Sequence, residues 1–155
     1  MKRRILWITS ILSSIMTAGA AIFGFMLTSR LMYMKKKDDA FILDREITAK
    51  RFDEAWFNSV QKTEKWIDSP NGYPVKAMFL EPLNTNNFVV ICHGVTENKI
   101  NSVKYARLFE RLGFNSVVYD HRRHADSGGK PTSFNHYEKK DLQAVVKTVN
   151  EYAGE

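Results

Sequence analysis

Two stretches of this 155-residue sequence hold side chains and backbone able to do chemistry. The first is Val89-Val90-Ile91-Cys92-His93-Gly94-Val95-Thr96, an apolar run that ends in His-Gly. A run of this kind suits a strand buried on both faces. Gly94 would let the backbone turn sharply and leave space beside it. The N–H of Val95 could then face a cleft at the carboxyl end of the strand. There it would receive a developing oxyanion as a fixed dipole that need not reorganise. An ordinary strand-to-helix turn has the same outline, and His-Gly alone does not separate the two.

The second stretch is Tyr119-Asp120-His121-Arg122-Arg123-His124-Ala125-Asp126-Ser127-Gly128-Gly129-Lys130, which follows the next apolar run. His93, His121 and His124, with Asp120 or Asp126, are the residue types of a metal site. A simpler arrangement has His93 bonding to backbone while Asp120 and Arg122 tie the second loop down. The simpler arrangement is preferred, so neither a metal nor a cofactor is expected. Cys92 ends a strand expected to be buried, and buried thiols are usually inert. A single cysteine also precludes an internal disulfide.

The elements that must position these residues can be read from hydrophobic period. Ser102–Leu112 predicts an amphipathic helix with Val103, Ala106, Leu108, Phe109 and Leu112 inward and Gly113 as its stop. Phe114–Tyr119 predicts a second buried strand, and Tyr137–Tyr152 a helix with Leu142, Val145, Val146 and Val149 on one face. Upstream, Lys62–Asp68 and Tyr73–Leu80 predict a hairpin turning at Asn71-Gly72, with Trp66, then Val75, Ala77 and Phe79, alternating as in half-buried strands. Phe52, Trp56, Phe57 and Val60 share one face of a helix predicted over 49–60. Asp44, Glu46, Asp53 and Glu54 suit a solvated helix face. A hairpin followed by strand, helix, strand, helix is an α/β arrangement whose later strands are parallel.

With these elements in place, residues 63–152 resemble the α/β-hydrolase superfamily, in particular its serine aminopeptidase-like and monoacylglycerol-lipase-like branch. That branch shows strand-His-Gly, a helix, then strand-Asp-x-Arg-Gly-His-Gly-x-Ser. Asp120, Arg122, His124 and Ser127 match; Arg123 and Ala125 stand where the family often has glycine, a departure that bears on how tight the loop can be. The resemblance implies a serine hydrolase acting on a small ester, amide or peptide acyl substrate. Val95 would be its first oxyanion donor, His93 and Gly94 would support that loop, and Asp120, Arg122, His124 and Ser127 would structure the next one. It also implies a sheet ordered 1-2-4-3-5-6-7-8 and a nucleophile in Gly-x-Ser-x-Gly. The sequence has no Gly-x-Ser-x-Gly, hence no nucleophile and no complete triad. Residues 62–155 are thus expected to form the N-terminal half of such a domain, inactive alone, with an exposed apolar strand edge that invites aggregation or pairing. The alternative is a non-enzymatic binding or assembly module with a partial hydrolase fold. A nucleotide-binding Rossmann protein ranks last, since no Gly-x-Gly-x-x-Gly follows either buried strand.

Charge divides the chain. Seven of the 23 Lys and Arg residues fall in residues 1–37, which hold no acid; residues 38–155 carry 16 basic and 17 acidic side chains. The net charge of +6 therefore belongs to the N-terminus, and the basic field a nucleic-acid-binding surface needs is absent from the rest. Ile5–Ser29 contains no charged residue. As a helix it would reach roughly 37 Å, enough to cross a hydrocarbon core of about 30 Å. Residues 1–37 are expected to be a signal anchor with basic flanks, placing residues 5–29 in the lipid bilayer and the folded part outside the cytoplasm. Cleavage as a signal peptide near Ala20, at Ala18-Gly19-Ala20, is the alternative. Residues 38–61 are expected to be a linker and amphipathic helix. The substrate and the oligomeric state are not legible.

Overall fold

The computed structural model describes residues 2–154, which form two compact units divided at Met34/Lys35. The first is a helix, α1 (Lys2–Met32), with no buried residue. Its apolar window has a mean hydropathy of 1.8, and the helix is long and apolar enough to cross a membrane. A membrane anchor and a signal sequence share that property. The hydroxyls of Thr9, Ser14 and Thr17 donate to the carbonyls of Leu6, Ser10 and Ser13, each at 2.9 Å, so they do not oppose an apolar surrounding.

The second unit is an α/β layer structure. Its elements are α2 (Asp39–Thr48), α3 (Glu54–Ser59), β1 (Gln61–Ser69), β2 (Tyr73–Glu81), β3 (Phe88–Cys92), α4 (Lys99–Glu110), β4 (Asn115–Tyr119) and α5 (Glu138–Ala153). The four strands are ordered β1-β2-β4-β3. β1 and β2 form an antiparallel hairpin, β2 pairs antiparallel with β4, and β3 pairs parallel with β4. Ile91 lies opposite Val118 in that parallel pair. The crossover α4 is what a parallel connection requires. β4 sits between two neighbours with all five residues buried, the polar Asn115 and Ser116 as well as Val117, Val118 and Tyr119.

Two apolar clusters cover the two sheet faces. Ile42, Trp56, Ile100, Val103 and Ala106 of α2, α3 and α4 pack on Met78, Leu80, Ile91 and Val118. Val145 and Val149 of α5 pack on Ile67, Val75, Ala77, Phe79 and Val117 of the other face.

Several expected elements differ in detail. The helix predicted over 49–60 shortens to α3, and α2 forms upstream of it, in residues expected as linker. Asp38 and Asp53 accept hydrogen bonds from the N–H groups of Phe41 and Trp56, and so start α2 and α3 separately. Lys50, at φ 55°, turns the chain between them. Residues 38–61, expected as a linker and helix, therefore lie inside the second unit and supply Ile42, Trp56 and Val60 to its core. Glu46, expected on a solvated face, is buried. Trp66 is exposed, and Ile67 takes the inward place in the strand's alternation. Leu108 and Leu112 are also exposed, because α4 buries the stripe through Ile100, Val103 and Ala106 instead. The hairpin turns through three residues, and of these only Gly72 uses positive φ.

Candidate functional site

β3 and β4 run parallel, so their carboxyl ends meet at the same end of the sheet. Loops 93–98 and 120–137 leave from there and enclose a cleft of about 220 Å³. His93, Gly94 and Val95 line one side, and His121 and His124 another. Thr132, Phe134, Asn135 and Glu138 line the cleft as well, and sequence reasoning did not single them out.

His93 is buried and holds both loops. Its Nδ1–H donates to the Gly94 carbonyl at 2.7 Å, and its Nε2 accepts the His121 N–H at 3.0 Å. This pair of bonds needs the neutral ring. Burial, with His121 and His124 adding to it, pushes the His93 pKa down to about 2. His121 returns a bond from Nε2–H to the His93 carbonyl at 3.2 Å. The His124 Nδ1–H donates to the Arg122 carbonyl at 2.9 Å. Burial first, and charged neighbours after it, also lower the pKa values of His121 and His124. The three rings pack edge-to-face or tilted, the His93 ring 4.4 Å from His121 and 4.8 Å from His124 between centroids. At neutral pH they form an uncharged wall. Among the described residues no group of three His, Cys, Asp or Glu could hold a metal ion.

Val95 is exposed and lines the cleft, and among the described residues its N–H donates to no protein acceptor. Gly94 does not have positive φ, and a Cβ built on it meets nothing within 4 Å. The sharp turn expected at Gly94 falls instead at Thr96, at φ 64°. What Gly94 contributes is open space.

Behind the cleft, Asp120 and Lys99 are both fully buried. Asp120 accepts the Lys99 N–H at 2.8 Å and the Lys99 Nζ at 2.9 Å, tying the end of β4 to the start of α4. Burial raises the Asp120 carboxyl to about 6 against the opposing pull of Lys99. Burial would depress Lys99, but Asp120 and Asp39 outweigh it and raise its pKa. Arg122 donates to the carbonyls of Pro131, at 2.6 Å, and Lys130, and its guanidinium lies 4.6 Å from the rings of both Tyr73 and Tyr137. Ser127 is fully buried; its hydroxyl donates to the Asp120 carbonyl at 2.7 Å and accepts the Lys76 N–H at 2.9 Å. It has no path to a substrate. Cys92, expected to be buried, is exposed, since β3 is an edge strand among the described residues.

The segment entering this unit straps both loops. Lys36 Nζ reaches the carbonyls of Ala125 and Ser127 at 3.2 and 3.4 Å, and Lys37 lies 3.8 Å from Glu97. Glu97 is in turn gripped by Arg45, which holds its carboxyl below the usual range against the opposing effect of burial.

Arg123 and Ala125 both occupy left-handed backbone, at φ 63° and 37°. The loop thus keeps a glycine-like path without glycine. Such a residue costs about 1–2 kcal/mol, and glycine's extra freedom in the unfolded chain offsets about half of that. Ala125→Gly is therefore expected to stabilise the unit by roughly 0.5–1 kcal/mol. Chemical denaturation measures it, and a loss of stability would show that the strain is not there.

The chain is similar to known proteins over this region. It is 43% identical over 135 residues to the uncharacterized protein YqkD of Bacillus subtilis (strain 168), a match covering 87% of this chain and 44% of that protein. The chain thus spans less than half the length of the curated relative it matches. The esterase Pf2001 of Pyrococcus furiosus superposes with a TM-score of 0.52 at 26% identity, over 60% of this chain and 36% of that one. The hypothetical protein PA2218 of Pseudomonas aeruginosa superposes with a TM-score of 0.53 at 20% identity, over 64% of this chain and 35% of that one. No family model matches. The second unit has, in part, the fold of the α/β-hydrolase superfamily.

Proposed function

We propose that this chain forms the oxyanion side of an acyl-transfer site in a membrane-associated serine hydrolase, with α1 in the bilayer. The finer placement is the serine aminopeptidase-like and monoacylglycerol-lipase-like branch, on the motif Asp120-x-Arg122-x-His124-x-x-Ser127. One observation carries the reading: Val95 follows His-Gly at the carboxyl end of a strand parallel to its neighbour, borders the cleft, and has an N–H without a protein acceptor. When a hydroxyl attacks an acyl carbonyl, a C–O bond forms, the carbonyl π pair moves to oxygen, and the hydroxyl proton passes to the general base of the triad, which lies outside this chain. A fixed N–H beside that oxygen lowers the barrier without reorganising. His93 and Gly94 serve as its frame: the ring ties loop to loop, and the missing side chain leaves room for the acyl group. Uncharged imidazoles and Phe134 suit an apolar acyl moiety rather than a charged one.

Ser127 is committed to backbone, so the attacking hydroxyl comes from a Gly-x-Ser-x-Gly segment that this sequence does not contain. The test combines this chain with the part of YqkD that it does not cover. Hydrolysis of a 4-nitrophenyl ester and fluorophosphonate labelling are measured for each piece and for the mixture. Activity is expected only in the mixture. Val95→Pro, which removes the N–H, is expected to reduce it about 100-fold, the scale of one lost oxyanion donor. A stable complex that neither hydrolyses ester nor takes the label would sink the enzymatic reading in favour of a binding or assembly module.

A further inference from the structure

A second concavity, of about 560 Å³, lies away from the cleft, between the turn that joins α2 to α3 and the outer side of α4. Its cationic lining is Lys50, Arg51, Lys104, Arg107 and Arg111. Glu46 pairs with both Arg51 and Lys104, and Asp53 pairs with Arg107 at 3.0 Å. Among the described residues Lys50 and Arg111 have no acidic partner, and both are exposed. Glu54 is the other acid in the lining. The groove therefore keeps a net positive field.

The outer stripe of α4 adds a second property. Lys104, Arg107, Leu108, Arg111 and Leu112 follow i, i+3, i+4, i+7, i+8 spacing, continuing just past the helix end. Leu108 is 53% and Leu112 62% exposed, so two large apolar side chains stand outward among three cations. A core-facing stripe would not carry the cations, and a solvated stripe would not carry the leucines. A basic face with outward leucines matches a surface that lies at a lipid–water interface.

We propose that this face docks on anionic phospholipid, with headgroup phosphate in the groove between Lys50 and Arg111 and with Leu108 and Leu112 at the acyl boundary. The proposal rests on the reading that α1 enters a bilayer. Charge complementarity selects the lipid: a zwitterionic surface offers no net charge to the two unpaired cations, whereas each cation near an anionic surface gains about fivefold in binding.

The test is amine-reactive labelling of the full chain, quantified lysine by lysine by mass spectrometry. The chain is reconstituted into phosphatidylcholine vesicles and into phosphatidylcholine–phosphatidylglycerol vesicles. Co-sedimentation with the pure phosphatidylcholine vesicles reports on α1 alone, so failure of the anchor reading shows there. Labelling of Lys50 and Lys104 reports on the groove. It is expected to slow about fivefold or more with phosphatidylglycerol, and to recover in about 0.5 M salt, where exposed charges are screened. Lys147, on α5 across the sheet, is the control and should be unaffected. Arg111→Ala should restore Lys50 labelling while leaving the fold intact, since Arg111 is exposed. Equal labelling in both vesicles, or equal slowing at Lys147, overturns the proposal. Equal protection by soluble glycerol phosphate at matched concentration overturns the lipid as occupant and assigns the groove to a free organic phosphate.

Discussion

Lys99→Met is expected to destabilise the second unit by about 3–5 kcal/mol, because it leaves a buried carboxylate without its partner. Lys99 and Asp120 are both fully buried, and two hydrogen bonds from Lys99 end on Asp120. Methionine keeps the volume and the backbone N–H but removes the ammonium. Among the described residues the only other carboxylate on Lys99 Nζ is Asp39, which is partly exposed, so solvent compensates that side. The Asp120 carboxyl already stands at about 6 through burial, with Lys99 opposing the rise; without the ammonium it rises further. A carboxyl whose folded pKa lies above its unfolded value contributes most below the unfolded value and loses that contribution as pH rises through the folded value. The deficit of the variant relative to the parent should therefore be small near pH 4 and grow through pH 6 to 8. Urea unfolding of both proteins in mild detergent, followed by tryptophan fluorescence across that range, decides it. A deficit under about 1 kcal/mol, or one that ignores pH, would mean that Asp120 is not held as a buried anion. The consequence reaches the cleft, because this pair fixes where the loop after β3 meets α4.

Lys99 also shows why part of this molecule was legible and part was not. The apolar runs at 88–92 and 117–119 identified two strands, of which β4 is buried throughout and β3 only in part, and the helical stripe between them implied a parallel connection. Both depend on period and composition alone. His-Gly at the end of one run and Asp-x-Arg at the end of the other then located the two loops that border the cleft. Burial of Lys99 and Glu46 had no such signal, since each is buried only because partners from distant segments converge on it. Glu46 draws Arg51 and Lys104, and Lys99 draws Asp39 and Asp120. The apolar face at 52–60 marked only one helix and left α2 unread, though Asp38 and Asp53 each precede a run of good helix formers. On the far side of the cleft, Asn135-x-x-Glu138 has capping-box spacing, and the Glu138 carboxylate does accept the Asn135 N–H at 2.9 Å. That spacing could have placed Glu138 at the loop. Nothing in the sequence marked Phe134, whose φ of 47° turns it toward the cleft lining.

Glu46→Gln is expected to cost about 2–3 kcal/mol at neutral pH and to remove the share of the second unit's acid sensitivity that this carboxylate carries. The carboxylate is 1% exposed. Its Oε1 accepts from Arg45 and Arg51, each at 2.8 Å, and from Asn101 at 3.1 Å; its Oε2 accepts from Arg51 at 2.9 Å and Lys104 at 3.0 Å. The bonds from Arg51 hold its pKa down to about 2 in spite of burial, with Lys104 and Arg45 adding to the effect. A folded pKa below the unfolded 4.5 gives stability that is present above about pH 4.5 and lost as pH falls toward 2. Glutamine preserves size and one acceptor oxygen, but its amide presents two N–H donors to three cations. Repulsion among Arg45, Arg51 and Lys104 is then uncompensated, although Arg51 is half exposed and can swing into solvent. That escape is why the cost stays below what a fully buried pair would give. The loss should appear as a lower denaturation midpoint at pH 7, with the gap to the parent closing as pH approaches 2. Asp53→Asn, which removes a carboxylate with a single exposed arginine partner, should move neither quantity by more than about 1 kcal/mol. If the two variants behaved alike, the four-membered cluster around Glu46 would be a surface arrangement, and the packing of α2 against α4 would rest on Ile42 and its apolar neighbours alone.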